Sequence, residues 1–335
     1  MVHNDGRPSL RLKKALKILG IIVGILLAIV LGPWLIVAAL WIAGDIAQDI
    51  ALRRYRPTSL ADAVAYKYAT PDLVAGFIDR GADVNQRIPG VNGVPSFPLI
   101  ADACSRANVD VARLLLHRGA HIQDANIWSV ARNGHEEMAR MLVEEGASLG
   151  RQPYFEEAIG PELIQAAAFG GQAWLVQLLA KKGADVQMVN SAGEGLLALA
   201  LWSEYHESLE TTKALLAAGA HVNPLTDEET PPLYWAAYRG KLEEVDLLLA
   251  AGARADSPAQ HGVMQGLTLP PGVHVTPLSA AVEECHYEVA ERLLRHGASK
   301  HAVIYDGKSL TEGACYHVLD SEKAQRDQMR ALLAR

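Results

Sequence analysis

The chain has 335 residues, half of them hydrophobic and about a fifth charged, a composition that folds and argues against wholesale disorder. Its net charge of −7 is uneven: residues 1–44 hold five basic residues and one acid, leaving 26 basic and 37 acidic residues beyond them. A body that acidic repels phosphate backbones and argues against a nucleic-acid partner, and three cysteines (Cys104, Cys285, Cys315) make an odd, sparse set that argues against a disulfide framework.

A basic tail over 1–17 leads into "ILGIIVGILLAIVLGPWLIVAALWIAG", the 27 residues from Ile18 to Gly44, without a charge. At ~1.5 Å per residue a helix of that length more than spans the ~30 Å hydrocarbon core. Gly32-Pro33 offers a place to kink, and Trp41 lies near the far end, where aromatics favour the interface. A core helix would show a polar face, and a signal peptide's apolar run is usually ~7–15 residues. The segment 18–44 therefore reads as a single transmembrane helix; the alternative is a secreted soluble binder, released if the segment is cleaved. Five basic residues precede the span, whereas Arg53, Arg54 and Arg56 follow it together with Asp45 and Asp49. That excess favours a cytoplasmic N-terminus with everything after residue 45 extracytoplasmic.

After a linker over 45–58, the body repeats itself. Gly-Ala pairs begin at Gly81, Gly119, Gly146, Gly183, Gly219, Gly252 and Gly297, spaced by 27 to 45 residues around a period in the mid-thirties. Each closes a run such as "VARLLLHRGAHI" or "LVQLLAKKGADV", preceded by a short Ala-rich stretch such as "LIQAAAFGG". In "TPPLYWAAYRGKLEEVDLLLAAGA", Thr230 is a candidate N-cap and the prolines suit a first helical turn. Ala236 and Ala237 let helices approach closely, and Gly240 breaks the first helix. Val245, Leu248 and Leu249 then form one apolar stripe, closed by Gly252 as a left-handed C-terminal cap. One such helix pair cannot bury its own apolar face, so copies must stack.

These strings resemble the ankyrin repeat, with "TPPLYWAAYRGKLEEVDLLLAAGA" and "TPLSAAVEECHYEVAERLLRHGAS" as the fullest matches and "GADVN", "GADVQ" and "GAHVN" as hairpin signatures. The resemblance implies an all-α repeat solenoid of about seven to eight repeats, helix-turn-helix units joined by β-hairpin loops. It covers 59–299, with a degenerate capping repeat over 300–335. Cys285 stands where the family has an inter-helix glycine, Tyr234 replaces the usual His, and the 190–219 unit has extra residues near Ser203–Ser208. Three connections are long, at 86–97, 150–161 and 257–275.

Motifs of nucleotide, hydrolase and zinc-protease chemistry are absent from the sequence, so neither an enzyme, a cofactor nor a small-molecule substrate is expected. Cys104 and Cys315 each follow an alanine, where a small buried side chain is wanted. His117 and His121 straddle the helix end at Gly119, and the histidines 286, 296, 301 and 317 fall at unlike places, so no metal ligand set is expected. Glu243-Glu244 and Glu283-Glu284 read as solvated faces. A protein partner is expected instead. The resemblance implies a binding surface at the hairpin tips and the ends of the first helices, where the variable positions after Ala-Ala include Tyr68, Arg106, Arg132, Phe169, Tyr238 and Arg239. The sequence thus describes a membrane-tethered interaction scaffold, in a bacterial inner membrane with the repeats in the periplasm, that binds, protects or neutralises an extracytoplasmic enzyme.

Overall fold

The computed structural model describes residues 56–66, 68–89, 96–149, 162–190, 193–203, 208–224, 229–259, 275–302, 308–315 and 323–334. The basic tail and the apolar segment 18–44 lie outside the described residues, as do Lys67 and the interiors of the long connections. Among the described residues no helix is long and apolar enough to cross a membrane.

Two compact units divide the chain, Met1–Ala69 and Thr70–Arg335. In the first, α1 (Leu60–Ala65) starts at Ser59, whose Oγ accepts the Asp62 N–H at 3.1 Å, and Leu60, Ala63 and Val64 are buried.

The second unit opens with α2 (Pro71–Ile78) and continues as helix pairs. These are α3 (Leu99–Ser105) with α4 (Val109–His117), α5 (Ile127–Arg132) with α6 (Glu136–Glu144), and α7 (Leu163–Phe169) with α8 (Ala173–Lys181). Then follow α9 (Leu196–Trp202) with α10 (Ser208–Ala217), α11 (Pro232–Tyr238) with α12 (Leu242–Ala250), and α13 (Pro277–Glu283) with α14 (Tyr287–Arg295). Within a pair the two helices pack on each other, and each first helix packs on the first helix of the next pair, forming a helical solenoid. Alanines make that close approach possible: Ala103, Ala131, Ala167, Ala200, Ala236 and Ala281 have no exposed surface. The second helices supply bulk, with Leu115, Leu142, Leu175, Leu215, Leu248 and Leu293 equally inaccessible, each worth about 1.5–3 kcal/mol of burial.

Helix ends follow from local chemistry. At α13, Thr276 Oγ1 accepts the Ser279 N–H at 3.2 Å while Ser279 Oγ accepts the Thr276 N–H at 2.7 Å, and Pro277 fills the first helical position. The glycines of the seven Gly-Ala pairs all have φ between 87° and 95°, the left-handed conformation that closes a second helix. Thr230 does not cap α11 as the sequence suggested. The doubled proline moves the helix start one residue on, so Pro231 takes the cap position without a side-chain bond.

Side-chain amides stitch neighbouring units along the loops. Asn223 Nδ2 donates to the Gly252 carbonyl at 2.9 Å while its Oδ1 accepts the Arg254 N–H at 2.9 Å. Asn85 does the same with Gly119 and His121, and Gln187 with Gly219 and His221. This is why "GADVN", "GAHVN" and "GADVQ" end in an amide: it satisfies one donor and one acceptor left over at the next helix end. The loops form a two-stranded antiparallel sheet, β1 (Arg87–Ile88) with β2 (Phe97–Pro98), pairing Arg87 with Pro98 and Ile88 with Phe97. Isolated bridges join Val189 to Gly195 and Ala259 to Val275; the second closes the base of the 257–275 connection.

The cysteines differ from the sequence reading. Cys285 and Cys315 form a disulfide across 30 residues, leaving Cys104 as a free, buried thiol. Cys285 occupies the left-handed turn between α13 and α14 with φ 65°, where the corresponding turns have Gly134, Gly171 and Gly240 at 73°, 70° and 67°. Glu244 also departs from expectation. It is buried on α12, where its Oε1 accepts the Ser208 hydroxyl at 2.7 Å. The degenerate last repeat is described as turns over 308–315, which bury Leu310, Ala314 and Cys315, and then α15 (Lys323–Ala334), which buries Met329, Leu332 and Leu333 and packs on α14.

Candidate functional site

The last residues of the first helices are Ser105, Arg132, Phe169, Trp202, Tyr238 and Glu283, on α3, α5, α7, α9, α11 and α13. Because first helices stack on first helices, these positions run in series across the solenoid. Arg132 lies exposed at the end of α5. Its guanidinium stands 5.7 Å from the Trp128 ring, one turn back on the same helix, and 4.9 Å from the Phe169 ring on the next repeat. Arg132 has no hydrogen-bond or carboxylate partner among the described residues. Arg239 reaches the other way: its guanidinium is 4.7 Å from the Trp202 ring, and Nη2 donates to the Trp202 carbonyl at 3.2 Å. Trp202 meets Trp235 edge-to-face at 4.3 Å, and Trp235 in turn meets Tyr238 at 6.1 Å. Tyr234 stacks on Tyr238 at 6.4 Å.

Between α5, α7 and α9 this stripe opens into a groove of about 390 Å³, lined by Trp128, Arg132, Gln165, Phe169, Leu199 and Trp202 together with Ala166, Asn190 and Glu194. Glu194 is held at the rim by Asn190. Asn190 Nδ2 donates to Glu194 Oε2 at 2.8 Å, and Asn190 Oδ1 accepts the Glu194 N–H at 2.9 Å. Gln165 is buried, and its Oε1 accepts the Glu162 N–H at 3.1 Å in the capping box of α7. That bond leaves the Gln165 amide N–H groups without an acceptor among the described residues. The volume falls within the ~300–1,000 Å³ of ordinary ligand pockets, and apolar walls with a few convergent polar groups are their usual lining.

Electrostatics differ at the C-terminal end of the stripe. Burial pushes the Tyr234 phenol well above its ordinary value, with Glu283 adding to the effect. Tyr238, half-buried, is raised by desolvation and then by Glu284. Burial lowers Lys241, whose Nζ donates to the Ser203 carbonyl at 3.1 Å. Arg239 is thus held against Trp202 of the neighbouring repeat, while Tyr238 packs on Tyr234 and Trp235 of its own helix.

The other expected site residues fall elsewhere. Tyr68 belongs to the first unit, where its ring meets Tyr66 at 5.7 Å. Arg106 is exposed and bonded to the Asp102 carboxylate at 2.8 and 3.3 Å. Gly170, beside Phe169, is buried against α5, where a Cβ would come 1.8 Å from the Ala131 carbonyl oxygen. The sequence reading missed Trp128, Gln165, Glu194 and Trp202. Trp128 was findable, since it lies four residues before Arg132 on one helix face. Trp202 was hidden by the extra residues after it, which obscured the equivalence of Trp202 with Phe169 and Tyr238. Among the described residues no cluster of three or more His, Cys, Asp or Glu could hold a metal ion. His286, weighed in sequence as a ligand, instead bonds the Tyr238 carbonyl through Nε2 at 3.0 Å.

Comparison with known families agrees with this geometry. Residues 163–259 match the family described as ankyrin repeats (3 copies), and residues 274–304 match the family described as ankyrin repeat. No curated protein matches the chain. With their helix pairs and left-handed glycine closures, residues 163–259 and 274–304 are thus ankyrin repeats.

Proposed function

We propose that the protein is a membrane-tethered scaffold that binds another protein through the stripe from Trp128 to Arg239. Ankyrin repeats support a protein–protein interaction role, and the single observation that carries the location is the run of arginine and aromatic side chains along the ends of α5, α7, α9 and α11. Trp, Tyr and Arg dominate interface hot spots because each combines large contact area with a polar handle. The tether is the uncharged run from Ile18 to Gly44, which raises the effective concentration of any membrane-associated partner. The excess of basic residues before that run favours repeats on the extracytoplasmic side. The Cys285–Cys315 pair supports the same side, because disulfides persist in oxidising compartments. An extracytoplasmic enzyme that is held, protected or neutralised is the partner class we favour.

The test is capture by the full-length chain in membranes, comparing the natural chain with Phe169→Ala and Tyr238→Ala. A partner retained by the natural chain and lost from both variants supports the stripe. A partner retained equally by all three places the interface elsewhere. A reporter fused after residue 335 reads the topology directly, and activity only on the cytoplasmic side would overturn the extracytoplasmic placement.

A further inference from the structure

We infer that the groove between α5, α7 and α9 is an anchor subsite for a partner segment presenting a carboxylate beside a bulky apolar side chain. This rests on the reading of the stripe as a protein-binding surface and adds the chemistry that selects the segment.

Three observations carry it. The first is the state of Arg132. On this acidic body, Arg106, Arg118, Arg140 and Arg292 each face a carboxylate of the chain, namely Asp102, Asp79, Glu136 and Asp246. Arg132 faces none among the described residues; its guanidinium lies near the Trp128 and Phe169 rings instead. With both rings near its guanidinium and no acceptor among the described residues, its N–H donors are available, and a guanidinium's planar fork suits a bidentate carboxylate. The missing acceptor is supplied from outside.

The second is the groove beside it. Trp128, Phe169, Leu199 and Trp202 give it apolar walls, and a volume of about 390 Å³ accommodates a large side chain with part of its backbone. The third is its unused polar rim. Gln165 has amide donors and Glu194 has Oε1 without partners among the described residues, and both belong to the groove lining. An extended segment supplies what each lacks: a carbonyl for Gln165 and a backbone N–H for Glu194. A protein segment is favoured over a small free acid because Trp202, at one end of the groove, carries Arg239 on its ring, and Arg239 and the half-buried Tyr238 lie outside the groove lining, where a single small molecule does not reach.

The experiment selects random twelve-residue peptides displayed on phage against the full-length chain in lipid nanodiscs, then measures synthetic versions by the change in tryptophan emission. The expected result is enrichment of peptides with Asp or Glu within two residues of Trp, Phe, Leu or Ile. Arg132→Gln weakens them about tenfold or more, Arg132→Lys recovers part of the loss, and Phe169→Ala weakens them comparably. Circular dichroism and melting of each variant establish that it is folded, and Arg132→Lys keeps the test decisive if Arg132→Gln is not. Peptides enriched without an acidic residue, or bound equally by Arg132→Gln, overturn the inference; if those peptides are still weakened by Tyr238→Ala, the stripe reading stands alone. Peptides indifferent to Arg132, Phe169 and Tyr238 together overturn both. A small aromatic acid, N-acetylphenylalanine, binding as tightly as the peptides also overturns the choice of a protein segment.

Discussion

Tyr234 is 5% exposed on α11, and burial, reinforced by Glu283, raises its phenol well above the ordinary value of about 10. The folded state therefore keeps the proton after the unfolded chain has released it. For an acid whose folded pKa is raised, stability is present below the unfolded pKa and is lost as pH rises beyond it. Lys241 works in the opposite sense in a neighbouring window: its lowered pKa lets the folded state shed a proton first, so stability rises with pH up to the ordinary lysine value. Urea midpoints at pH 8, 10 and 11 should fall above about pH 10 in the natural chain and fall less in Tyr234→Phe. An identical loss in both removes Tyr234 as the cause. Arg239 is a second residue whose role shows only in the fold. Its bond to the Trp202 carbonyl and its stacking on the Trp202 ring join two repeats. Arg239→Ala should cost about 1–2 kcal/mol, a drop in melting midpoint of roughly 3–6 °C; an unchanged midpoint shows that the contact contributes nothing.

At the scale of the element, what was legible in the sequence was whatever is decided locally. A left-handed glycine, an alanine contact and an apolar stripe are properties of consecutive residues, so a helix pair and its closure were readable from "TPPLYWAAYRGKLEEVDLLLAAGA" alone. The exceptions involve partners far apart in the chain. Glu244 was read as solvated because its partner Ser208 lies across the α9–α10 turn, and the Cys285–Cys315 bond joins two turns that share no sequence pattern. Cys285 shows the energetic trade. A side chain in left-handed backbone costs about 1–2 kcal/mol, and the loop-entropy account credits a cross-link across ~30 residues with about 3–4 kcal/mol. Cys285→Gly and Cys285→Ala both lose the disulfide, but only glycine relieves the backbone. Denaturation should find both variants less stable than the natural oxidised chain, with Cys285→Gly the better of the two by about 1 kcal/mol. Equal midpoints for the two would mean that the turn relaxes away from its left-handed conformation.

For the molecule as a whole, the repeats determine which pieces can stand alone. A solenoid's stability is close to a sum over units and their nearest-neighbour interfaces, so removing material outside the stack leaves the stack intact, while removing an end exposes an apolar face. Residues 1–44 precede the first repeat, whereas α15 buries Met329, Leu332 and Leu333 at the far end and the disulfide fastens the adjoining 308–315 segment to the α13–α14 turn. The two truncations should therefore differ in kind. A 45–335 fragment, acidic throughout and lacking the apolar run, should be soluble and helical with one cooperative melting transition. Removing 308–335 from that fragment should lower the midpoint substantially, since it deletes three buried apolar side chains of α15, each worth about 1.5–3 kcal/mol, together with the cross-link. Circular dichroism melts and size-exclusion profiles of both fragments decide the matter. Aggregation of 45–335 would show that the stack depends on the N-terminal segment, and equal midpoints would show that the C-terminal helix does not act as a cap.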